Sequence, residues 1–544
     1  MSSAPGDSTA RRVLTIAATD LRIRMARGSS AVLLVALCIF AYVVVPDLST
    51  GRALMMVNGH RALYNSATIA LATSSLCAVL LGMAGFYLIS NTVRRDVETR
   101  TGFVIASTSV RNAEYLAGKW LGSIAFLSLI VFVYMINVMA MQLIRGEAPL
   151  EPLTYVIMFA AVIGPVVIVV SGLALMFECV RPLSGRVGDI LYFFLWAMIL
   201  SIPASTAEST KPGLGSNFDV FGMAFIINAA KDQATGDFHA HPEISIGSSR
   251  FDPALEPWRF EGVAWTAPVI AARAMSALMV LPALLIAWLA FARFDPARIK
   301  GGAGGTGGAG GAGGAGGARS SVRGKIAAPL RRVLDTLHPA SWAGRGLVRT
   351  SLGELALTLM LRPMVFVAVV AAAIAGIFVS SSFMRSALLP ATFVALIATL
   401  AEIPTRDRVA RVDTIRGGIA GVRDLSIFSK LLGALGIALA FLAVPLLRLS
   451  ATAPASALSL LIGAAFVAAA AVGLGTLART PKLFAGAALL LLYVVMSTPG
   501  AAEFDFAGWN GAATNGVRGA YFVAALILSA LAILGDWRIR RAER

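Results

Sequence analysis

Residues 91–122 read NTVRRDVETRTGFVIASTSVRNAEYLAGKWLG. The stretch is polar and basic, too long for a tight turn, and flanked on both sides by long apolar runs. A related stretch recurs 311 residues later, at 402–433. Arg95-Asp96 matches Arg406-Asp407, Arg100 matches Arg411, Lys119 matches Lys430, and Leu121-Gly122 matches Leu432-Gly433, in one register without a gap. Two copies of one polar loop, each at the same place among apolar runs, indicate an internally duplicated membrane protein.

Composition points the same way. Of 544 residues, 57% are hydrophobic and 14% charged, with a mean hydropathy of +0.78. Soluble chains carry about 25% charged residues. The net charge of +17 would suggest nucleic acid on a soluble domain. Here the basic residues sit in short loops beside apolar spans, where they fix topology, so no nucleic-acid partner is expected. Cys38, Cys77 and Cys179 fall in or at the end of apolar runs and form neither a disulfide framework nor a metal spacing. No small-residue cleavage site follows the first apolar run, which is expected to stay as an anchor.

Residues 1–28 are polar and basic, with Leu14, Ala18, Leu21 and Met25 on one side of a helix. Such a helix lies in the membrane interface. Six apolar runs follow, at roughly 30–46, 67–90, 120–144, 153–179, 190–203 and 267–291, with Pro165 as the expected kink of the fourth. The tract 301–318, GGAGGTGGAGGAGGAGGA, cannot bury a core and reads as a flexible linker. Ser351-x-x-Glu354 reads as a capping box opening the second half. Six more runs follow, at roughly 363–380, 387–403, 431–447, 455–477, 483–497 and 520–534. In the tenth run, Ala465, Ala469 and Gly473 give a small-residue face for close helix packing. The expected fold is an all-α polytopic membrane protein of about twelve transmembrane helices in two six-helix halves. Its parts are a first six-span unit at 1–293, a Gly/Ala-rich basic cytoplasmic linker at 294–345, and a second six-span unit at 346–544.

Loop 92–119 carries five Lys/Arg and loop 403–430 carries six. On the opposite side, 204–265 holds eight Asp/Glu against four Lys/Arg. The positive-inside rule therefore places both termini, the linker and both duplicated loops in the cytoplasm, in a multi-pass protein of the cell membrane.

Catalytic chemistry is hard to find in this chain. No intramembrane carboxylate pair suggests a proton relay, and Arg273 lies near the outer end of the sixth span. His239-x-His241, with Asp237 and Glu243 nearby, is the one metal-like cluster and reads as a solvated outer loop, so no metal site is assigned. Gly118-Lys119 and Gly324-Lys325 lack the other residues of a phosphate-binding loop. No catalytic residue and no bound cofactor are assigned, and ATP, if used, sits on another chain. On the outer side, Phe218-Asp219-Val220-Phe221-Gly222 matches Phe504-Asp505-Phe506-Ala507-Gly508. Phe218, Phe221 and Phe225 fit an amphipathic face at the outer interface, and Trp258, Trp265 and Trp509 suit interfacial anchoring.

The duplicated loop carries a more specific pattern. It runs Glu98-Thr99-Arg100-Thr101-Gly102, then Ser107-Thr108-Ser109-Val110-Arg111, then Tyr115-Leu116-Ala117-Gly118-Lys119. This resembles the signature after the second span of type-2 ATP-binding-cassette (ABC) permeases. In that family an acidic residue precedes Thr-Gly, a small residue–Pro–hydrophobic–Arg stretch follows, and Gly-Lys opens the third span. Here Ser109 stands for the proline, and an extra residue separates the acid from Thr-Gly. The second copy keeps Val422-Arg423 and Ser429-Lys430 but has no evident acid-Thr-Gly element.

The resemblance implies the permease subunit of an ATP-driven exporter. Its loop would hold a coupling helix docked in a groove of a separate ATPase subunit. The coupling residues it implies are Arg94, Arg95, Asp96, Glu98, Arg100, Gly102 and Arg111 in the first copy, and Arg406, Asp407, Arg411 and Arg423 in the second. Phe103-Val104-Ile105 would fill a pocket. The rival readings are a carrier driven by an ion gradient and a lipid-handling membrane protein. The substrate is not legible in the nearly uniform apolar spans.

Overall fold

The computed structural model describes residues 8–26, 37–38, 40–207, 218–231, 233, 244–291, 293–294, 346–361, 363–409, 422–497 and 502–542. Two compact units, Met1–Ile299 and Lys300–Arg544, divide just ahead of the Gly-Ala tract. The tract, His239 and His241 lie outside the described residues.

In the first unit α1 (Thr9–Met25) starts at Ser8, whose Oγ accepts from the Arg11 N–H at 3.3 Å. Strands β1 (Arg52–Val57) and β2 (His60–Arg61) follow. Asn58 and Gly59 join them at positive φ, the turn that matches hairpin twist. Then come α2 (Ser66–Ile89), α3 (Thr92–Glu98), α4 (Thr101–Ala106), α5 (Asn112–Arg145), α6 (Pro152–Cys179), α7 (Arg186–Ala207) and α8 (Met223–Lys231). Strand β3 (Ile244–Arg250) pairs antiparallel with β1, giving the order β2-β1-β3. The last span is α9 (Ala267–Leu278) running on into α10 (Val280–Ala290).

The protein is overwhelmingly helical, in keeping with the all-α membrane class, and this one small sheet is an addition that the sequence did not suggest. Four of the six β1 residues are buried, so the strand shows no clean alternation of apolar and polar positions in the sequence.

The second unit holds α11 (Leu347–Leu361), α12 (Pro363–Phe378), α13 (Ser381–Phe383), α14 (Leu389–Leu400), α15 (Arg406–Val409), α16 (Val422–Thr452), α17 (Pro454–Ala478), α18 (Pro481–Ser497) and α19 (Asn515–Ala542). The expected capping box is not one. Ser351 lies inside α11, its Oγ bonded to the Leu347 carbonyl at 2.7 Å, and Glu354 reaches Arg406 instead.

Eight helices among the described residues are long and apolar enough to cross a membrane. They are Ser66–Val97, Asn112–Arg145, Pro152–Cys179 and Ala267–Ala290 in the first unit, and Ser381–Leu400, Leu425–Thr452, Pro454–Ala478 and Asn515–Arg538 in the second. That is fewer than the twelve expected. Gly188–Ser201, Val365–Phe378 and Pro481–Met496 are apolar but shorter, and much of run 30–46 lies outside the described residues. The apolar stretch Gly188–Ser201 within α7, 14 residues, covers only about 21 Å, against a hydrocarbon core of about 30 Å.

A similar arginine contact closes a helix end in each unit, though the two arginines themselves stand 303 residues apart. Arg145 on α5 donates to the Tyr42 carbonyl at 2.9 Å and also to that of Val45. Arg448 on α16 donates to the Gly376 and Val379 carbonyls, both at 2.7 Å. Each arginine covers carbonyls left over at the end of a helix. Tyr42 and Gly376, like Val45 and Val379, stand 334 residues apart. The loop copies stand only 311 apart. The 23-residue difference falls where the first unit inserts its β1–β2 hairpin, because in the second unit α13 begins at Ser381, directly after α12.

The same 334 step relates α1 to α11. Leu14, Ala18, Leu21 and Met25 correspond to Val348, Leu352, Leu355 and Leu359, and both sets are exposed or half-buried. Both helices therefore turn apolar stripes away from the protein, as an interfacial helix must. Their inward faces carry charge: Asp20 and Arg24 in α1, Glu354 in α11.

Of the three tryptophans expected as anchors, Trp509 is 3% exposed and packs edge-on against Phe393 and Phe506. Trp265 stacks on Phe225, and Trp258 is pinned to the hairpin by hydrogen bonds with Arg61 and Leu63. The expected Phe218-Phe221-Phe225 face is also corrected. Phe218 and Phe221 precede α8, and Phe221 is buried over Gly82, where a Cβ would sit 2.2 Å from its ring.

Candidate functional site: a charge lock beneath the duplicated loop

The loop is two short helices held from below. Asn91 and Arg100 adopt positive φ and set α3 and α4 apart from their neighbours. Glu178, near the end of α6, accepts from the N–H groups of Thr92 at 2.9 Å and Val93 at 2.6 Å, with Arg94 at 3.4 Å. A carboxylate there satisfies the first free N–H groups of α3 and meets the positive end of its dipole. At the other end Arg111 N–H donates to Glu114 at 2.9 Å. Glu114 also takes Thr9 Oγ1 at 3.0 Å and Arg12 Nη2 at 3.1 Å, tying α1 to the start of α5.

The α1–α5 crossing is close because α5 is bare beneath it. A Cβ at Gly118 would lie 2.7 Å from Ile16 Cβ, and one at Gly122 would lie 3.1 Å from the Ala17 carbonyl. Small residues four apart permit such approach. In the second unit a Cβ at Gly433 would lie 2.8 Å from Glu354 Cβ.

The inward charges of α1 meet those of the loop in this crossing. Asp20 Oδ2 accepts from Arg24 Nε at 2.7 Å. Its Oδ1 accepts from Arg95 Nη2 at 2.6 Å and from Lys119 Nζ at 3.2 Å. Lys119 bridges on to Asp96 Oδ2 at 2.8 Å, which also accepts from Tyr115 Oη at 2.8 Å. Arg24 Nη2 donates to the Ile89 carbonyl at 3.1 Å and to Thr92 Oγ1. Burial pushes the Asp20 carboxyl up, but Arg24 and Lys119, with hydrogen bonds from Arg24 and Arg95, outweigh it and hold it at about 2.

The second unit repeats this lock in reduced form. Glu354 pairs with Arg406, whose Nη1 donates to Thr358 Oγ1 at 3.0 Å. Lys430 pairs with Asp407 at 3.0 Å. Asp20 and Glu354, like Arg24 and Thr358, are 334 apart, while Arg95 and Arg406, Asp96 and Asp407, and Lys119 and Lys430 are 311 apart. Two registers thus converge on one arrangement.

The residues singled out in the sequence divide accordingly. Arg95, Asp96, Arg406 and Asp407 turn inward into the locks. Gly102 is buried against Phe294, whose ring would lie 2.5 Å from a Cβ there. Phe294 packs edge-on against Tyr115 and Phe291 beneath α4. Arg94, Arg100 and Arg111 face outward, together with Phe103 at 40% and Val104 at 65% exposure. Arg411 and the side chains of Glu98 and Arg423 lie outside the described residues. Sequence reading missed Asp20, Arg24, Glu178 and Glu354 as partners of the loop. The available signal was the pair of charges on the α1 face opposite its apolar stripe.

No family model, curated protein or solved structure matches this chain.

Proposed function

We propose that this chain is the membrane-spanning permease of an ATP-driven ABC-type exporter, powered by separate ATPase subunits that dock on its duplicated loops. The observation that carries the reading is the paired lock. A short helix pair projects between two spans and is braced from beneath by buried ion pairs, and in the second unit the Glu354–Arg406 and Asp407–Lys430 pairs repeat part of that bracing. A loop that merely fixed topology would need exposed Lys and Arg, not buried pairing. A loop that transmits force must be stiff and must still present a surface. In the first unit that surface is Phe103 and Val104 rimmed by Arg94, Arg100 and Arg111, an apolar centre in a basic border.

In this reading the eight spans, the three shorter apolar helices and run 30–46 make twelve crossings. Both termini and the Gly-Ala linker are cytoplasmic, and ATP hydrolysis belongs to the partner. The test is to look for a span-less ATPase encoded beside this chain and to co-express the two, followed by pull-down and ATPase measurement in vesicles. Co-purification with raised ATP turnover supports the reading, and an ATPase that neither co-purifies nor responds overturns it. Single-cysteine labelling in cells tests the topology. Positions 240 and 510 should label from outside, since Asp505 itself is buried while Asn510 beside it is exposed, and labelling of 310 or 415 from outside would sink the twelve-span arrangement.

A further inference from the structure

Pro165 sits inside α6. A proline lacks the N–H that would bond the carbonyl four residues earlier, and its ring crowds that carbonyl. The carbonyl so released is that of Ala161. Arg273, on α9, donates Nε to the Ala161 carbonyl at 2.8 Å and Nη2 to the Val162 carbonyl at 3.2 Å. The same guanidinium donates Nη1 to the Asp219 carbonyl and Nη2 to the Val220 carbonyl at 3.3 Å. Asp219 in turn accepts from the N–H groups of Met223 and Phe225, both at 2.9 Å, and so opens α8. Arg273 is 6% exposed and Asp219 is fully buried.

One planar group therefore holds the carbonyls beside Pro165 in α6 with one edge and the turn before α8 with the other. A guanidinium presents five N–H groups in a fixed fork, so displacing one set of acceptors rotates the other. The second unit offers an internal contrast. Asp505 holds its outer turn in the same way, accepting from Asn510 and Ala512 N–H. Arg518 on α19 reaches Ser459 Oγ on α17 at 2.8 Å and the Ala513 carbonyl at 3.0 Å. The only proline of α17 is Pro454 at its first residue, so no proline frees a carbonyl for Arg518.

We propose that Arg273 couples α6 at Pro165 to the turn 218–222, so that a change in α6 at the proline moves α8. Pro165→Ala restores the missing N–H, which then bonds the Ala161 carbonyl within the helix and competes with Arg273 for it. The experiment places spin labels at Asn228 on α8 and Leu143 on α5, both exposed, in the full chain with its three cysteines replaced by alanine. Distances are read by pulsed electron paramagnetic resonance.

With Arg273 present, Pro165→Ala should shift the 143–228 distance distribution by more than its width. With Arg273→Ala it should leave the distribution where Arg273→Ala alone puts it. If Arg273→Ala does not fold, Arg273→Lys serves, since a point ammonium cannot grip both acceptor sets, and the response to Pro165→Ala should shrink several-fold. A role in stability alone would lower the melting temperature without making the movement of α8 depend on Arg273. The proposal is overturned if α8 stays in place in Pro165→Ala, or moves equally whether or not Arg273 is present.

Discussion

Asp20 and Arg95 stand 75 positions apart in the chain, yet Arg95 Nη2 lies 2.6 Å from Asp20 Oδ1. The contact joins a helix whose other face is apolar and exposed to the loop that precedes α5. Asp20 also balances Arg24 and Lys119, so one buried carboxylate serves three cations. Removing one partner of a buried pair leaves the others uncompensated and costs about 3–5 kcal/mol. Asp20→Asn keeps the shape and removes the charge. It should lower the melting temperature of the purified chain sharply, and Glu354→Gln should do so less, since its lock is smaller. Equal, negligible losses in scanning fluorimetry would show that the locks do not hold the helices down.

Folding and docking should separate by residue. Arg95→Glu inverts an internal contact and should destabilise the chain before any partner is added. Arg100→Glu and Val104→Asp alter only the outer face, so melting should not change. Loss of an apolar anchor from an interface centre costs about 2 kcal/mol or more, roughly 30-fold in affinity. Pull-down of the ATPase with folded Val104→Asp should therefore fail, while Arg94→Gln at the rim should retain it. Retained binding in Val104→Asp would remove this face from the docking site.

The sequence made the duplication visible where two stretches kept one register, as at Arg95-Asp96 and Arg406-Asp407. It did not reveal the pairing of α1 with α11, because the 334 step and the 311 step disagree by the length of an inserted hairpin. Charged type alone also gave no direction. Arg94 and Arg95 are adjacent and look alike in the sequence, but a helix turns successive side chains by about 100°, so one faces solvent and the other Asp20. The sheet was hidden for the converse reason: β1 is mostly buried and carries no polar alternation. Pro165 was legible as a proline inside a span, but the partner of the Ala161 carbonyl it frees lies on α9, at Arg273, 112 positions from Ala161.

Gly102 tests the seating of α4. Its Cβ position is taken by the Phe294 ring, so Gly102→Ala must displace an aromatic packed against Tyr115 and Phe291. Overpacking of this kind costs about 1–3 kcal/mol. Phe294→Leu alone should also destabilise, by opening space. The two together should cost less than their sum, because the smaller side chain admits the new methyl. Strict additivity in thermal unfolding would mean that α4 does not rest on Phe294.

The last expectation concerns acid. The Asp20 carboxyl sits at about 2, below the ordinary value of 3.8. Its ionised form therefore contributes stability that is fully present above about pH 4 and is lost as pH falls through about 2. A depression of this size corresponds to roughly 2–3 kcal/mol. The measurement is the melting temperature of the wild-type chain and of Asp20→Asn in detergent, from pH 8 down to pH 2.5. The gap between them should stay constant from pH 8 to pH 5 and narrow only below pH 4. In that range the Asp20 carboxyl of the unfolded chain takes up a proton before the folded one does, which removes the advantage of the folded carboxylate. A gap that closes between pH 6 and pH 5 would mean the carboxylate is not held by Arg24, Lys119 and Arg95 together, and the lock would have to be redrawn without it.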